Sequence, residues 1–380
     1  MNVSKVKTAI YGCGNISDAY LSTVTKKFKI LDVVGCCDRT WEKAARKAEQ
    51  YGIRALTTEE LLADSSIELV INLTPASAHY ETNRMLLQAG KHVYSEKTLA
   101  VELEAAAELI ALAREKDRYL GVAPDTFLGA SIQTARYAVE SGLIGQVSSF
   151  TASLTRDYKW FMEMGPGCLQ KGWGIAFDVG IYYVTALLSI LGPVKTVSGM
   201  METRDAQGTF QTVDRMGEPY RMACENIAAA TLKLESGVMG NLLFDSNSVI
   251  TLPERPVMIL YGTQGILYMS DPNQFGGEVR VLLKGNAEPV TLPQSHPFET
   301  ESRGLGAAEM AWAIRRGRAN RASKEMAFHA LEVLHGIRIS GETGRQYAVL
   351  STFEKQSALP RGYKNIAPEL LDTEENAIAL

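Results

Sequence analysis

The chain has little of what several functional classes require. Its five cysteines, Cys13, Cys36, Cys37, Cys168 and Cys224, are an odd number without metal-ligand or disulfide-framework spacing, so they read as reduced, packed thiols. Histidines are also few. His329 and His335 lie six apart on an expected helix, on different faces, and make no metal pair, while His92 at the start of a strand reads as packed. No apolar run is long enough to cross a membrane, and Lys5 and Lys7 lead straight into a strand where a secretory leader would carry its apolar core. Basic excess is missing too: 39 Lys plus Arg against 43 Asp plus Glu leave a net charge of -4, with no arginine-aromatic stripe, which argues against nucleic acid. There is no internal repeat and no low-complexity tract. At 380 residues, the expectation left is a cytoplasmic protein of two domains that handles a small molecule.

The most informative feature present is Ile10-Tyr11-Gly12-Cys13-Gly14-Asn15-Ile16-Ser17, followed by Asp38 at the close of the next apolar run, Leu31 to Cys37. Val6 to Tyr11 reads as a buried strand. Gly12 turns sharply out of it and Gly14 lets backbone amides approach a pyrophosphate, with Asn15 and Ile16 completing the loop. Ser17 stands at the third position of G-x-G-x-x-G and is small enough for a helix, expected from Asn15 to about Lys26, to pack on the strand. That helix aims its positive end at phosphates. Asp38 follows Gly14 by about 24 residues, near the spacing of about 20 for a carboxylate on the adenosine ribose. Its charge repels a 2′-phosphate and favours NAD; Arg39 keeps NADP open. An ordinary strand-to-helix turn carries similar glycines, so the strand-helix-strand context decides.

That alternation continues through the first third. Helices expected over Trp41 to Tyr51, Ser77 to Ala89 and Leu103 to Lys116 separate the apolar runs Leu69 to Leu73, His92 to Ser95 and Leu120 to Ala123. Thr74-Pro75 and Glu96-Lys97 fall at the carboxyl ends of parallel strands, where open α/β sheets bind ligands. His79 is placed behind the cofactor loop. Near Pro124 the pattern changes: a helix (Leu128 to Ser141) precedes strand-like runs at 147–154, 228–234, 238–244, 257–261, 266–270 and 279–283, several joined by glycine turns. Helices return at Gly304 to Arg316 and Ser323 to Ser340. The expected architecture is α/β: a Rossmann domain (1–123), an α/β domain with an open, mostly antiparallel sheet (124–363) and a tail (364–380).

The second half carries Gly172-Trp173-Gly174-Ile175-Ala176-Phe177-Asp178-Val179-Gly180-Ile181-Tyr182 at the start of an apolar helix running toward Leu191. Asp178 and Tyr182, four apart, project from one face. Two readings fit them: a capping carboxylate beside a packed tyrosine, or acid-base chemistry. The loop Arg156-Asp157-Tyr158-Lys159-Trp160 is a candidate wall for a sugar, with Arg156, Tyr158, Trp160 and Trp173 as substrate contacts; an ordinary exposed loop reads almost equally well.

Together, Gly12-Cys13-Gly14, Asp38, Thr74-Pro75, Glu96-Lys97 and the glycine-rich approach to Asp178 resemble the glucose-fructose oxidoreductase, inositol dehydrogenase and MocA (Gfo/Idh/MocA) family from Lys7 to about Glu354. The resemblance implies hydride exchange between a nicotinamide and a secondary alcohol of a sugar, polyol or glycoside, and homo-oligomers formed through the open sheet. It places Lys97 against nicotinamide and substrate hydroxyl, Glu96 beside the ribose, and Asp178 at the family aspartate. Tyr182 falls where the family usually has a histidine proton acceptor, which implies a subset using a phenol. A phenol ordinarily titrates near 10, and Lys97 is expected to lower that value. Asp125 and Thr126 stand where Asn and Arg are more usual, as altered substrate contacts. Two other readings keep the fold: an NAD-dependent enzyme that cleaves glycosides by transient oxidation, and a non-enzymatic NAD-binding regulator.

Overall fold

The computed structural model describes residues 3–156, 169–210, 215–248 and 257–360. Cys168, Tyr158, Trp160 and the expected tail lie outside the described residues.

The first domain alternates β1 (Val6–Tyr11), α1 (Ser17–Val24), β2 (Leu31–Cys37), α2 (Trp41–Tyr51), β3 (Arg54–Leu56), α3 (Thr58–Ala63), β4 (Leu69–Asn72), α4 (Ala76–Gln88), β5 (His92–Ser95), α5 (Leu103–Glu115) and β6 (Leu120–Val122). All four residues of β4 are buried, as expected for a parallel strand covered on both faces. The strands lie in the order β3-β2-β1-β4-β5-β6, all parallel. The order reverses between β1 and β4, so the carboxyl ends of β1, β4 and β5 border one crevice. β3 and α3 go beyond the sequence expectation because three- and six-residue elements are too short for periodicity to mark, although Thr57 and Glu60 form a capping box that starts α3.

The second sheet has nine strands among the described residues. It is built from β7 (Val147–Thr155), β8 (Val194–Glu202), β11 (Ile227–Leu234), β12 (Met239–Asp245), β13 (Met258–Gly262), β14 (Gly265–Met269), β15 (Val279–Leu283), β16 (Val290–Thr291) and β17 (Tyr347–Ala348); β9 (Gln207–Thr209) and β10 (Pro219–Arg221) form a separate hairpin. The order is β16-β15-β14-β13-β7-β12-β11-β8-β17, antiparallel throughout except for β7 beside β12. β8 was not expected: its polar Lys195, Thr196 and Ser198 dilute the apolar signal of a strand that is half exposed.

Helices α6 (Ala130–Glu140), α7 (Ile181–Leu191) and α9 (Lys324–Thr343) cover one face of this sheet, whereas α8 (Leu305–Arg316) packs on β5 and β6 of the first. α9 also touches α5 and β6, and Gly121 bridges to Ser323. The chain after residue 304 therefore returns to the first sheet, a crossing that patterns along the sequence do not reveal.

Candidate active site

The glycine loop is built from backbone constraints. Gly12 has φ +103, and a Cβ there would lie 2.8 Å from the Leu73 carbonyl carbon and 2.9 Å from Thr74 N, so only glycine lets the loop pass the end of β4. A Cβ on Gly14 would meet nothing within 4 Å; this position faces open space. Ser17 is fully buried and its hydroxyl donates to Gly14 O at 2.6 Å, which fits the small residue expected between helix and strand. No side chain caps the start of α1, so its first N–H groups point toward the same space. Asp38 accepts from Cys13 N and Thr40 N, both at 2.8 Å, which holds its carboxylate against the loop while Arg39 is exposed. Open space at Gly14, an uncapped helix start and a fixed carboxylate at the end of β2 fit a dinucleotide.

Opposite this loop, buried amides set the ends of β4 and β5. Asn72 accepts from Thr74 N and from the Thr74 hydroxyl, donates to Asn83, and Asn83 donates to Ser95. Pro75 precedes the first residue of α4. His79, fully buried, places one ring nitrogen 2.7 Å from Thr74 O and the other 2.5 Å from Thr98 O. Burial lowers its pKa while the two carbonyls oppose that shift. It ties the Thr74 loop to the segment carrying Lys97 and presents no nitrogen to the crevice. Glu96 accepts from the Tyr20 hydroxyl at 2.6 Å and from Lys97 N at 3.1 Å.

Lys97 is one point where the two halves of the chain meet. Its ammonium forms an ion pair with Asp178, donates to the Asp178 carbonyl at 2.9 Å, and lies 5.7 Å from the Trp173 ring and 5.8 Å from the Tyr182 ring. Burial alone would lower its pKa, but Asp178, Tyr182 and Glu96 outweigh burial and hold it above its ordinary value, so it stays charged.

Asp178 sits in a π-helical turn, Ala176–Gly180, that precedes α7, and such wide turns leave carbonyls available to side chains. The capping reading of Asp178 gives way to a different arrangement: among the described residues no side chain caps the start of this turn, and the carboxyl group packed against its approach, beside Gly174, belongs to Glu225. Burial pushes Glu225 up to about 7. A Cβ at Gly174 would collide with that carboxyl group, so the glycine-rich approach is glycine-rich partly to admit it. Asp178 faces Lys97 instead.

Tyr182 is 7% exposed on the first turn of α7. Burial raises its pKa; Lys97 and Arg303 pull it down, Glu96 pushes it up, and the net direction is upward. The expected lowering by Lys97 is real but loses to desolvation, so the resting group is a neutral phenol.

Asp125 and Thr126, expected as substrate contacts, lie inside the fold. Both are buried, and Asp125 accepts from Gly304 N and Gly306 N at the start of α8, with burial pushing it up to about 7. Trp173 does border the site, and Arg156 follows β7 with its backbone N–H donating to Asp245 O. Glu225, Arg303, Tyr20 and the Asn72–Asn83 pair were missed in the sequence. Only Asn72, a polar residue closing an apolar run, carried a local signal.

Residues 6–123 match the model of an oxidoreductase family with an NAD-binding Rossmann fold, and residues 132–268 match that of the GFO/IDH/MocA C-terminal domain. The chain belongs to the Gfo/Idh/MocA oxidoreductase family. Among relatives, D-glucoside 3-dehydrogenase of Escherichia coli is 25% identical over 273 residues, 68% of this chain and 74% of that protein. An uncharacterised oxidoreductase of Schizosaccharomyces pombe is 28% identical over 218 residues, 53% of this chain; the match spans 56% of that relative's length. A levoglucosan dehydrogenase solved with NADH shares the fold, with a TM-score of 0.78 at 17% identity over 92% of this chain and 100% of that one. The family thus accounts for the Rossmann half and the open sheet, and among the described residues no His, Cys, Asp and Glu group could hold a metal.

Proposed function

We propose that this member of the family is an NAD-dependent dehydrogenase or reductase acting on a secondary alcohol of a sugar, polyol or glycoside, with Lys97, Asp178 and Tyr182 as its reacting groups. The observation that carries this reading is the Lys97 ammonium, fixed by Asp178 and facing Tyr182 across the crevice from the open glycine loop. Gly12, Gly14, Asn15, Ile16, Asp38, Thr74 and Pro75 would border the dinucleotide, and the Asp38 carboxylate favours NAD over NADP. Nicotinamide supplies the hydride acceptor or donor.

Each side chain then has a task set by its charge. Lys97 holds the substrate oxygen and stabilises negative charge developing on it; Asp178 fixes the ammonium in place. Tyr182 exchanges the hydroxyl proton. As a neutral phenol it gives a proton readily to a carbonyl oxygen, so reduction proceeds at neutral pH. Oxidation requires the phenolate and is expected to quicken as pH rises toward and beyond about 10, since burial places the group above its ordinary value.

Relatives named for a glucoside and for levoglucosan support a carbohydrate-like substrate. The row Met200, Ala229 and Leu243 on neighbouring strands, with Met200 58% and Leu243 39% exposed, supports self-association through the outer sheet face, to be checked by sedimentation. The chemistry is tested by incubating the protein with NAD and then NADP against sugars, polyols, sugar acids and glycosides. Absorbance of reduced nicotinamide and product masses are recorded together. Reduced cofactor with a product two hydrogens lighter is expected; glycoside cleavage without net reduction, or binding of NAD with no conversion, would overturn the dehydrogenase reading.

A further inference from the structure

His335 lies on α9, 3% exposed, with both ring nitrogens engaged. Nε2 is 3.0 Å from Val101 O, and Nδ1 is 3.0 Å from Arg338 Nη2. A carbonyl only accepts and a guanidinium only donates, so Nε2 carries the hydrogen and Nδ1 receives one. The contacts fix a neutral imidazole in a single tautomer. The same ring reaches both arms of the Lys97–Asp178 ion pair. Val101 is four residues beyond Lys97, and the segment between them is tightened by the Thr98 hydroxyl, which donates to Ala100 O at 2.9 Å. The ring also meets Phe177 edge to face, with centroids 5.1 Å apart and planes at 68°, and Phe177 immediately precedes Asp178 in the π-helical turn. The two arms touch at Val101 as well: Gly172 takes φ +89, and a Cβ there would lie 3.0 Å from both Val101 methyls. Lys171 donates to Glu102 at 2.8 Å, but both side chains are exposed and solvent weakens that tie. His335 is the buried polar tie across the same seam.

We infer that His335 is a positioning residue for the Lys97–Asp178 pair: its neutral imidazole holds the Val101 carbonyl on one arm and Phe177 on the other, and keeps that hold only while Nδ1 is free of a proton. This rests on the reading of Lys97 and Asp178 as reacting groups. A proton on Nδ1 would set imidazolium and guanidinium against each other at hydrogen-bonding distance with no acceptor between them. The charged groups that face the ring are Arg338 on α9, Glu102 before α5 and Lys171 on the approach to the π-helical turn. Arg338 in turn donates to Glu342 at 3.4 Å and interacts with Glu225, while Asp178 turns to Lys97. Burial first, then Arg338, holds the ring below its ordinary value, so it stays neutral at neutral pH. The pair therefore loses its alignment on the acid side, although Lys97 remains charged there.

The test follows the Lys97 ammonium by proton–nitrogen NMR of lysine side chains in the full chain, with the signal assigned by its loss in Lys97→Met. It needs neither substrate nor cofactor. The His335 ring is followed in parallel, and its nitrogen shifts should show Nε2 protonated near neutral pH. As pH falls, the Lys97 signal should move together with the ring titration. His335→Gln, whose amide can donate to Val101 O and accept from Arg338, should keep the neutral-pH signal and lose the movement that tracks the ring. His335→Leu should displace the signal at every pH. Arg338→Met removes the facing cation, so the ring should titrate at higher pH and the Lys97 movement with it. A Lys97 signal indifferent to the ring's ionisation, or a ring protonated at Nδ1 near neutral pH, would overturn the inference. In kinetics, His335→Gln should remove the acid limb of kcat while KM stays put, and His335→Leu should slow turnover by roughly tenfold to a hundredfold. A Lys97 signal that tracks His335 in a protein converting no alcohol would leave the His335 assignment standing and remove the dehydrogenase reading, so the two failures are distinguishable.

Discussion

The glycine loop and the Lys97 cluster face each other across one crevice and are specified in different ways. The loop is determined by backbone: Gly12 must be glycine because β4 ends against it, and Gly14 faces empty space. The cluster is determined by side chains drawn from distant segments, with Lys97 after β5, Asp178 and Tyr182 at the head of α7, Glu225 before β11 and Arg303 before α8. A region built from consecutive backbone tolerates few substitutions and loses binding when it fails. A region built from converging side chains keeps its fold through single changes and loses chemistry.

The largest expected effect is in the cluster. Lys97→Met should reduce turnover by at least about 10²-fold, measured with a substrate from the panel, while NAD affinity by fluorescence titration changes little. The same change strands the buried Asp178 carboxylate and should cost about 3 kcal/mol of stability in a denaturant melt. Adding Asp178→Asn to it should recover most of the stability and none of the turnover. A double variant as unstable as the single one would mean that the pair is not the main tie between the domains at this point.

In the loop, Gly12→Ala and Gly14→Ala separate fold from ligand. Gly12→Ala should lower stability by about 1–3 kcal/mol through its positive φ and the contact with Leu73, and weaken NAD binding as well. Gly14→Ala should leave the melting curve almost unchanged and weaken NAD by about tenfold, because the methyl enters only the space meant for phosphates. Equal losses in both measurements for both variants would erase the distinction.

A smaller effect falls on pH. Asp125 and Glu225 are held near 7, above their ordinary values, so between those values and about 7 the folded state binds protons that the unfolded chain does not. Each of these two groups therefore contributes a fall in stability as pH rises through that window, on the order of 1 kcal/mol per pH unit, set against the histidines His79, His92, His329 and His335, whose lowered values act in the opposite direction. Thermal melts at about pH 5, inside that window, and about pH 8, above it, compare each variant with the wild type: Asp125→Asn or Glu225→Gln should make stability rise more, or fall less, between the two. A pH dependence identical to the wild type in both variants would contradict the placement of both carboxyl groups.

The difference between the regions also explains what was legible in the sequence. The parallel sheet could be read because β1, β2, β4 and β5 are apolar runs separated by helices of ordinary length, and Gly12, Gly14 and Asp38 announce the loop by local spacing. Lys97 and Asp178 stood out because each sits in a recognisable short segment. Glu225 did not, since its carboxyl group meets Gly174 from a distant segment and no local pattern marks that contact. The surroundings of Asp125 could not be read for the same reason: its hydrogen bonds at the start of α8 depend on a chain reversal that appears only in three dimensions.

The most direct test of the Lys97 cluster as the reacting site follows deuterium from the carbinol carbon of a substrate to nicotinamide in a single turnover, comparing the wild-type protein with Lys97→Met at saturating NAD. The expected result is transfer in the wild type and transfer at least about 10²-fold slower in the variant, with NAD bound equally by both. Transfer at equal rates would contradict it and move the chemistry elsewhere in the crevice.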